Sequence, residues 1–589
     1  MLPFFQHRSS GLRSSKRKQS SRTTAKRPLL EQLEPRIALS ASSGGGDTDV
    51  GSNTGSTIYF VATDGNDANS GTLEAPFQTI QHAASRVVPG DIVNIRGGTY
   101  RERIQIDTLE GTVDAPIIFQ NYNDEQVTLS GAQTITTGWT PHEGHIWKTD
   151  VAFDVTQLFL NDKMLTAARW PNITKDWDQL DDGNSFNPTP QSYWDPDSFA
   201  QIDGDNSTAG SYTNLESRHR LSDLGVSIDG AVLVPHATSP GTVFEVSGHA
   251  SGQNTFSLNS ASTGNFQYYL TSHLGLLDQP REWYYDKTSG ELYVWLENNA
   301  DPNNSTFEAR GFAPAATNPD YRFDNQILTI SDSAFLQFDG FTFHTGAVQL
   351  WDTSDTTFIN SKFLYSVHNT HMLGDAAYYN RDTIYQSSIN QWGNHAGGGS
   401  DSGNLTWRNC EFAYSYNSFL HYGFGNSNVE VDNCYFHNKP TGGGIMVSTH
   451  TKRGNIIRRV TAHSVGYGGI GKVGNTERQG ALVELMHLYD YHFHGDDSGV
   501  QVNTGNTAGM VLRYNWIHDM DGRNAIRFDG DPGGFRGTVH HNVLIRNKRG
   551  TRLKGDQHTV LNNLALENTD VDINVSAPPW IIYILYRSF

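Results

Sequence analysis

The C-terminal half of the chain repeats one pattern, in which a β-branched pair is followed by Asn or another polar residue and then by a short apolar strand. After the first gap, the repeated positions lie ~21–28 residues apart. A unit of this length cannot bury its apolar side alone, so successive units must stack as coils with inward Val, Ile, Leu and Phe ladders. The pattern predicts a parallel β-helix over residues 320–575. The aligned positions are Asn360, Asn409, Asn433, Arg459, His487, Asn515, Asn542 and Asn563.

Residues 57–138 are predicted to form a cap and the first coils. Hydrophobic spacing predicts strands at Ile58–Val61 and Ile92–Ile95 and a short helix at Gln78–Val88. The segment Asp64–Thr72 resembles the N-terminal cap of secreted pectate-lyase-like β-helices. Its Asp and Asn residues are predicted to cap turns rather than to bind calcium, because an EF-hand loop needs an acid at its twelfth position and Ala75 stands there.

Residues 139–319 lack the coil period. Apolar and polar residues alternate around tight turns at Gln157–Lys163, Arg169–Asn172 and Glu282–Val294, which predicts an antiparallel β domain. These segments resemble the inserted domain of β-helix glycoside hydrolases of the xylosidase and fucosidase type. The resemblance implies an all-β chain, namely a right-handed parallel β-helix with an N-terminal cap helix and an inserted antiparallel β domain.

The two ends of the chain differ from the rest. Residues 1–56 are a basic, Ser-rich stretch followed by a Ser/Gly linker, and Leu33–Leu39 resembles the Leu-Glu-Pro-Arg export motif of planctomycete surface and secreted proteins. We therefore expect a secreted or cell-surface protein. The apolar tail at residues 576–589 has no coil pattern, and we expect it to reflect a truncated or frame-shifted end.

Composition excludes several classes of protein. With 43 Lys and Arg against 62 Asp and Glu, the net charge of −19 repels nucleic acid. No apolar run reaches the roughly 20 residues that a membrane-spanning helix needs. Cys410 and Cys434 occupy equivalent places in successive coils and are predicted to be buried thiols rather than ligands. We expect a monomer that acts on a polysaccharide.

Asp-rich segments interrupt the coil pattern near residues 492–531. Asp497 and Asp529 lie about one coil apart, so we expect them to project from adjacent turns of one face, on the order of 5–10 Å apart. Two carboxyl groups at that separation can cleave a glycosidic bond, one as acid and one as nucleophile or base. They match the Asp-Gly-Gly and Asp-Asp motifs of the hydrolases above, although Ser498 and Gly530 depart from them. The resemblance implies a catalytic pair, with Asp531 as a further candidate.

Four residues are predicted to bind substrate. His494, His518 and Arg527 flank the Asp-rich segments, and Trp392 belongs to a long irregular loop that is typical of a binding groove. No metal site is predicted, because His492 and His494 lack a third ligand at suitable spacing, and a hydrolase of this type needs no cofactor.

Two alternatives stay open. A polysaccharide lyase would use Lys554 as the base, with Arg527, Arg549 and Arg552 nearby and with calcium or Arg neutralising a uronate carboxylate. A non-catalytic surface or carbohydrate-binding β-helix protein would use the coils only as a spacer.

Overall fold

Each coil contributes one strand to each of three parallel sheets, which we call sheets A, B and C. The computed structural model describes residues 55–173, 198–208, 210–236, 243–259, 266–312, 326–366, 389–392, 403–415, 419–422, 427–439, 447–449, 454–465, 469–473, 480–491, 498–502, 509–520, 524–528, 536–555, 557–576 and 583–585. They belong to one compact unit, Gly55–Phe589. The chain runs from sheet A to sheet B to sheet C and back, so the predicted right-handed parallel β-helix is confirmed.

The strands of the three parallel sheets are as follows. Sheet A has 13 strands, at Ile58–Val61, Ile92–Ile95, Ile117–Asn121, Leu336–Asp339, Thr357–Ile359, Gly403–Arg408, Ser427–Asp432, Ile456–Arg458, Leu482–Glu484, Val511–Arg513, Thr538–His540, Thr559–Leu561 and Tyr583–Leu585. Sheet B has 11, at Gly98–Tyr100, Val127–Ser130, Phe341–His344, Lys362–Leu364, Glu411–Ala413, Tyr435–Lys439, Thr461–Val465, His487–Tyr491, Trp516–Met520, Val543–Ile545 and Leu564–Leu566. Sheet C has 11, at Ile104–Asp107, Gln326–Ser331, Ala347–Trp351, Ile389–Trp392, Leu420–Tyr422, Val447–Thr449, Ile470–Val473, Ser498–Val502, Asn524–Phe528, Arg549–Lys554 and Val571–Ser576.

The core of the helix is a set of in-register ladders. On sheet B the rings of Phe343, Phe363, Phe412 and Phe436 stack at centroid distances of 4.7, 4.7 and 4.8 Å. This spacing matches the ~4.8 Å between neighbouring strands, so each coil adds one ring to the stack. Alternate residues of the same strands face outward, which leaves three outer faces for function.

The corner between sheets A and B is turned by a residue in the left-handed conformation. Asn360, Asn409 and Asn433 adopt it with φ of 51°, 57° and 52°. Asn tolerates this conformation better than most residues. The side-chain amide of Asn409 donates to Asn360 at 3.1 Å, and that of Asn433 donates to Asn409 at 2.8 Å. These predicted Asn positions therefore form an external ladder.

The later aligned positions are not equivalent to the first ones, which corrects the predicted register. Arg459 is a left-handed corner residue like the first three Asn residues. His487, in contrast, is the first residue of a sheet B strand and pairs with Trp516, and Asn515 is the residue directly before Trp516. The side chain of Asn515 donates to Val483 O at 3.1 Å and to Asn542 Oδ1 at 2.9 Å. Two Asn ladders one residue apart look alike in sequence because both satisfy polar groups at the corners.

Cys410 and Cys434 stand directly after corner residues Asn409 and Asn433. Both are free thiols with 2 % exposure. Burial is the largest cause that raises the pKa of Cys410. The prediction of stacked, buried thiols is confirmed.

The N-terminal cap begins where predicted, although its helix is shorter. The helix spans Ile80–Ala84. Asp67 accepts hydrogen bonds from Gln78 N at 2.8 Å and from Thr79 N at 2.9 Å, so it stabilises the start of the helix, whereas the sequence predicted a role in a turn. The described 3-10 helices are Tyr122–Asp124, Leu221–Leu224, Leu274–Leu276, Glu297–Asn299 and Pro302–Asn304. Within the described ranges, no helix has the length and apolar character needed to cross a membrane.

The inserted domain lies between the sheet B strand Val127–Ser130 and the sheet C strand Gln326–Ser331 and contains three mostly antiparallel sheets. Their strands are Gln133–Thr134, Asp154–Leu160, Lys163–Met164 and Phe307–Phe312; Thr140–Pro141, Ile146–Asp150, Thr166–Ala167, Glu282–Asp286 and Glu291–Trp295; and Arg169–Trp170, Ala200–Gln201, Ser211–Thr213, Val232–His236, Phe244–Gly248, Thr255–Leu258 and Gln267–Thr271.

Arg310 joins the inserted domain to the helix. Its side chain is 4 % exposed and donates to the backbone oxygen of Thr345. A Cβ atom on Gly131 would lie 1.6 Å from Arg310 Nη1 and 2.3 Å from Thr345 O, so only glycine fits here. The domain is therefore packed directly against the first coils.

Candidate functional site

The outer face of sheet C carries one row of polar residues, aligned by strand pairing. Gln501 pairs with Arg527, Arg527 with Arg552, and Arg552 with Asn574. Each lies between two residues of the inward face, as Arg527 does between Ile526 and Phe528, both 0 % exposed. Further along the same sheet, Gln349 pairs with Asn390, and Asn390 with His421. We call this row the sheet C polar row.

Three cations of sheet C lie together. Arg527 and Arg552 are direct partners on neighbouring strands, and Lys554 follows Arg552 by two residues on the same face. Strand geometry places such neighbours about 5–7 Å apart at the backbone. Arg527 is 2 % exposed, whereas Arg552 and Lys554 are partly exposed. Like charges in directly opposite positions repel one another across a sheet, and a negative group beside them offsets that repulsion.

Four predicted site residues, His494, Asp497, Asp529 and Asp531, lie outside the described residues. Their roles stay predictions. The strand residues beside the predicted pair are described, and they bear on its register. Ser498, which follows Asp497, pairs with Asn524, and Phe528, which precedes Asp529, pairs with Val502.

The pairing gives the separation of the two strand ends beside the predicted pair. Paired Ser498 and Asn524 are 26 positions apart in the chain, whereas Asp497 and Asp529 are 32 positions apart. Ser498 and Phe528 are at opposite ends of their strands, about 13 Å apart along the strand direction. The predicted catalytic pair itself stays a prediction, because Asp497 and Asp529 both lie outside the described ranges.

Trp392 ends a strand of sheet C and pairs with Trp351. Five strand spacings separate its strand from that of Arg527, or about 24 Å. The sheet thus brings Arg527 and Lys554 together and places the backbone of Trp392 further along the same face.

His518 lies on sheet B, not on sheet C. Its Nδ1 is 2.6 Å from Asp519 Oδ2, and its Nε2 is 2.9 Å from His487 Nε2, while Arg546 forms two 2.7 Å bonds with Asp519. Burial and the neighbouring His518 lower the pKa of His487 to about 4. Both ring nitrogens of His518 are thus engaged, and the structure does not bring His518 to Arg527.

A ladder of rings runs along the outer face of sheet B. Its end nearest the insert is buried, and at the other end Trp516 is 44 % exposed and lies flat on His487 at 4.3 Å. Burial alone would raise the pKa of Glu411 beside this ladder, but hydrogen bonds from His437 and Lys362 lower it to about 2. The ring pairs are Tyr365–Tyr414, Tyr414–His437, His437–His463, His463–Tyr489 and Tyr489–His518, at 4.7–5.7 Å.

Sequence reasoning missed the sheet C polar row and the ring ladder as units. Gln349 and Gln501 do not belong to a motif that the sequence makes visible. The rings recur only once per coil, so neighbours in the ladder are far apart in the sequence. The recurrence of Tyr and His near the start of each sheet B strand was the available signal. Within the described ranges, no group of three or more His, Cys, Asp or Glu side chains is placed to hold a metal ion.

Comparison with known proteins supports the fold. Residues 59–168 match the model of a Pel9A-like, right-handed β-helix region. The chain is 43% identical over 72 residues to an uncharacterized protein, YwoF, of Bacillus subtilis (12% of this chain, 15% of that protein). It is 40% identical over 76 residues to pectate lyase PEL9 of Emericella nidulans (13% of this chain, 18% of that protein).

The chain therefore spans less than a fifth of the length of these two relatives. A solved structure of a glycoside hydrolase is similar over 88% of this chain and 97% of its own, with a TM-score of 0.60 and 15% identity. At that identity the likeness is one of fold.

Proposed function

We propose that this protein cleaves a polysaccharide that contains uronic acids, along the outer face of sheet C, by β-elimination. The observation that carries the proposal is the pairing of Arg527 with Arg552, next to Lys554. Adjacent guanidinium groups provide the planar, two-point contacts that carboxylates accept. The match of residues 59–168 to the Pel9A-like region and the partial likeness to a pectate lyase are consistent with this class of substrate.

The net charge of −19 does not oppose this substrate. Solvent-exposed charges further away than about 8 Å are largely screened at physiological ionic strength, so the polymer responds chiefly to the cations along the groove. Gln501 of the sheet C polar row, which is partly exposed, supplies an amide group to the sugar hydroxyls.

The proposed reaction consumes no water. Lys554 removes the proton at C5 of a uronate, while Arg527 and Arg552 stabilise the negative charge that grows on its carboxylate. The C4–O bond of the linkage then breaks and a C4=C5 double bond forms. The leaving oxygen takes a proton from solvent, and protonated Lys554 returns its proton to solvent. The products are one ordinary and one unsaturated chain end.

A glycoside hydrolase is the second candidate. It is favoured by the positions of Asp497 and Asp529 in the chain, next to the ends of two sheet C strands. Hydrolysis requires two carboxyl groups within roughly 5–9.5 Å of each other. We place elimination first because its candidate groups, Arg527, Arg552 and Lys554, all lie on described strands of sheet C.

Product analysis separates the two reactions. The purified protein is incubated with polygalacturonate and with neutral xylan, and reducing ends and ultraviolet absorbance are followed together. Elimination raises both signals on the acidic polymer, whereas hydrolysis raises reducing ends alone. If neither signal rises on either polymer, the enzyme proposal is wrong for these substrates and a non-catalytic binding protein is favoured. We also propose that the protein acts outside the cytoplasm, on the basis of the basic segment within residues 1–56. A monomeric state is a separate proposal that does not depend on this segment.

A further inference from the structure

The inserted domain contains a buried carboxyl group, that of Glu282, at the start of the strand Glu282–Asp286. Its residue is 0 % exposed, and its carboxyl group accepts hydrogen bonds from the backbone N–H groups of Asp278 and Arg169. Gln279 Nε2 lies 3.3 Å from Glu282 Oε1. The other oxygen, Oε2, is enclosed and has no hydrogen-bond partner within the described part of the chain. Such an oxygen is costly unless another group meets it.

A second enclosed oxygen comes from the neighbouring strand end. The amide nitrogen of Asn172 donates to Asp278 Oδ1 at 2.7 Å. Because the nitrogen must face that carboxylate, the orientation of the amide is fixed. Its Oδ1 is then enclosed, again without a hydrogen-bond partner among the described residues.

Asp278 connects the two enclosed oxygens. Its carboxylate accepts from the Asn172 amide, and its backbone N–H donates to the Glu282 carboxyl group. A cation that contacts both enclosed oxygens would offset the cost of burying them without partners.

We propose that Glu282, Asp278 and Asn172 bind a calcium ion. Calcium takes carboxylate and amide oxygens in flexible numbers and accepts water for the remaining positions. Transition metals prefer nitrogen or sulfur ligands, which are not part of this group. Asp278 is exposed, so water and the ion have access from its side. The proposal does not depend on the reaction in the groove.

Such an ion would fasten the inserted domain. It would tie the strand end at Asn172 to the loop at Asp278 and to the first residue of the strand Glu282–Asp286. A ligand that binds only the folded state raises the unfolding midpoint with its concentration. Calcium would therefore act as a structural clip, remote from the cations of sheet C.

The test uses the full-length protein, freed of metal with a chelator and then dialysed. We expect added calcium to raise the midpoint of thermal unfolding by several degrees. We also expect terbium to show emission on excitation of indole, because Trp283 directly follows Glu282, and calcium to displace it. Both signals should disappear in Glu282→Gln and in Asp278→Asn. They should persist in Glu297→Gln, which removes an exposed charge from the same domain.

Two results would overturn the proposal. One is an unfolding midpoint of the wild type that is unaffected by calcium, with Glu282→Gln equally stable, which would mean that the carboxyl group carries a proton. The other is a calcium shift that persists in both variants, which would place the ion elsewhere. If Glu282→Gln does not fold, Asp278→Asn decides the question, since its side chain is exposed.

Discussion

Charged residues are arranged differently on the outer faces of sheets A and C in the part of the chain that the structure describes. On sheet A the in-register column reads Arg408, Asp432, Arg458, Glu484 and Arg513, so that signs alternate from coil to coil. On sheet C, Arg527 faces Arg552 directly, and Lys554 adds a third positive charge.

The ion pairs of sheet A are satisfied within the protein. Arg458 Nη2 lies 2.7 Å from Glu430 Oε1 and 3.1 Å from Asp432 Oδ2, and Arg513 Nε lies 2.6 Å from Glu484 Oε2. Burial alone would raise the pKa of Asp432, but Arg459 and Arg458 hold it below the ordinary value. An alternating column needs no ligand. The paired cations of sheet C repel one another, so the two columns differ in the pattern of charge along the coils.

The largest expected effect is on catalysis. Replacing the proposed base in Lys554→Ala should reduce the rate of appearance of unsaturated product by about 10²–10⁴-fold. Arg408→Gln, which removes a cation of sheet A, should leave the rate unchanged. Initial rates on polygalacturonate measure both. Equal losses in the two variants would remove the functional distinction between the faces.

The next effect is on stability. Asp432→Asn removes a 0 % exposed carboxylate that pairs with both Arg458 and Arg459. The two guanidinium groups then lose this negatively charged partner. We expect the free energy of unfolding to fall by about 2–3 kcal/mol, with little change in activity. Denaturant titration gives the value. A loss below roughly 0.5 kcal/mol would mean that the sheet A column is an ordinary surface array.

A smaller effect concerns pH and sheet B. Because the pKa of His487 is about 4 in the folded protein and ordinarily about 6.5, the unfolded chain binds the proton first. The stability contributed by neutral His487 is complete above pH 6.5 and is lost as the pH falls towards 4. Allowing for partial exposure, His487→Asn should reduce this loss by on the order of 1–2 kcal/mol. If the free energy of unfolding falls by the same amount in wild type and variant between pH 7 and pH 4, the prediction is wrong.

The smallest expected effect on stability is at the groove itself. Arg552→Gln relieves repulsion with its partner Arg527, so the free energy of unfolding should stay within about 0.5 kcal/mol of wild type or rise. Asp432→Asn, measured beside it, is the control from sheet A. A loss of more than about 1 kcal/mol in Arg552→Gln would show that its charge is structural rather than kept for a ligand.

The sequence allowed the architecture to be predicted because its signals are local and repeated. The strands at Ile58–Val61 and Ile92–Ile95, the stacked thiols Cys410 and Cys434, and the inserted β domain all followed from periodicity or motif. The pairing register did not. Asn515 resembles Asn433 in pattern but stands one residue later in its corner, and a one-residue shift moves a side chain to the other face.

The same limit applies to the candidate site. Arg527 and Lys554 were identified from sequence as possible groups of one site, but their relation to Arg552 depends on the pairing of two strands. His518 seemed close to Arg527 in the chain, yet its strand belongs to another sheet. Nearness in sequence within one coil does not distinguish the three faces.

The most direct test of the account is the affinity of the protein for a soluble uronic-acid oligomer, measured by titration calorimetry for wild type, Arg552→Gln and Arg408→Gln. The account predicts that affinity falls by at least about tenfold in Arg552→Gln, in keeping with the loss of one charge-assisted contact, and is unchanged in Arg408→Gln. Unchanged affinity in Arg552→Gln, or an equal loss in both variants, would contradict the assignment of the outer face of sheet C as the binding face.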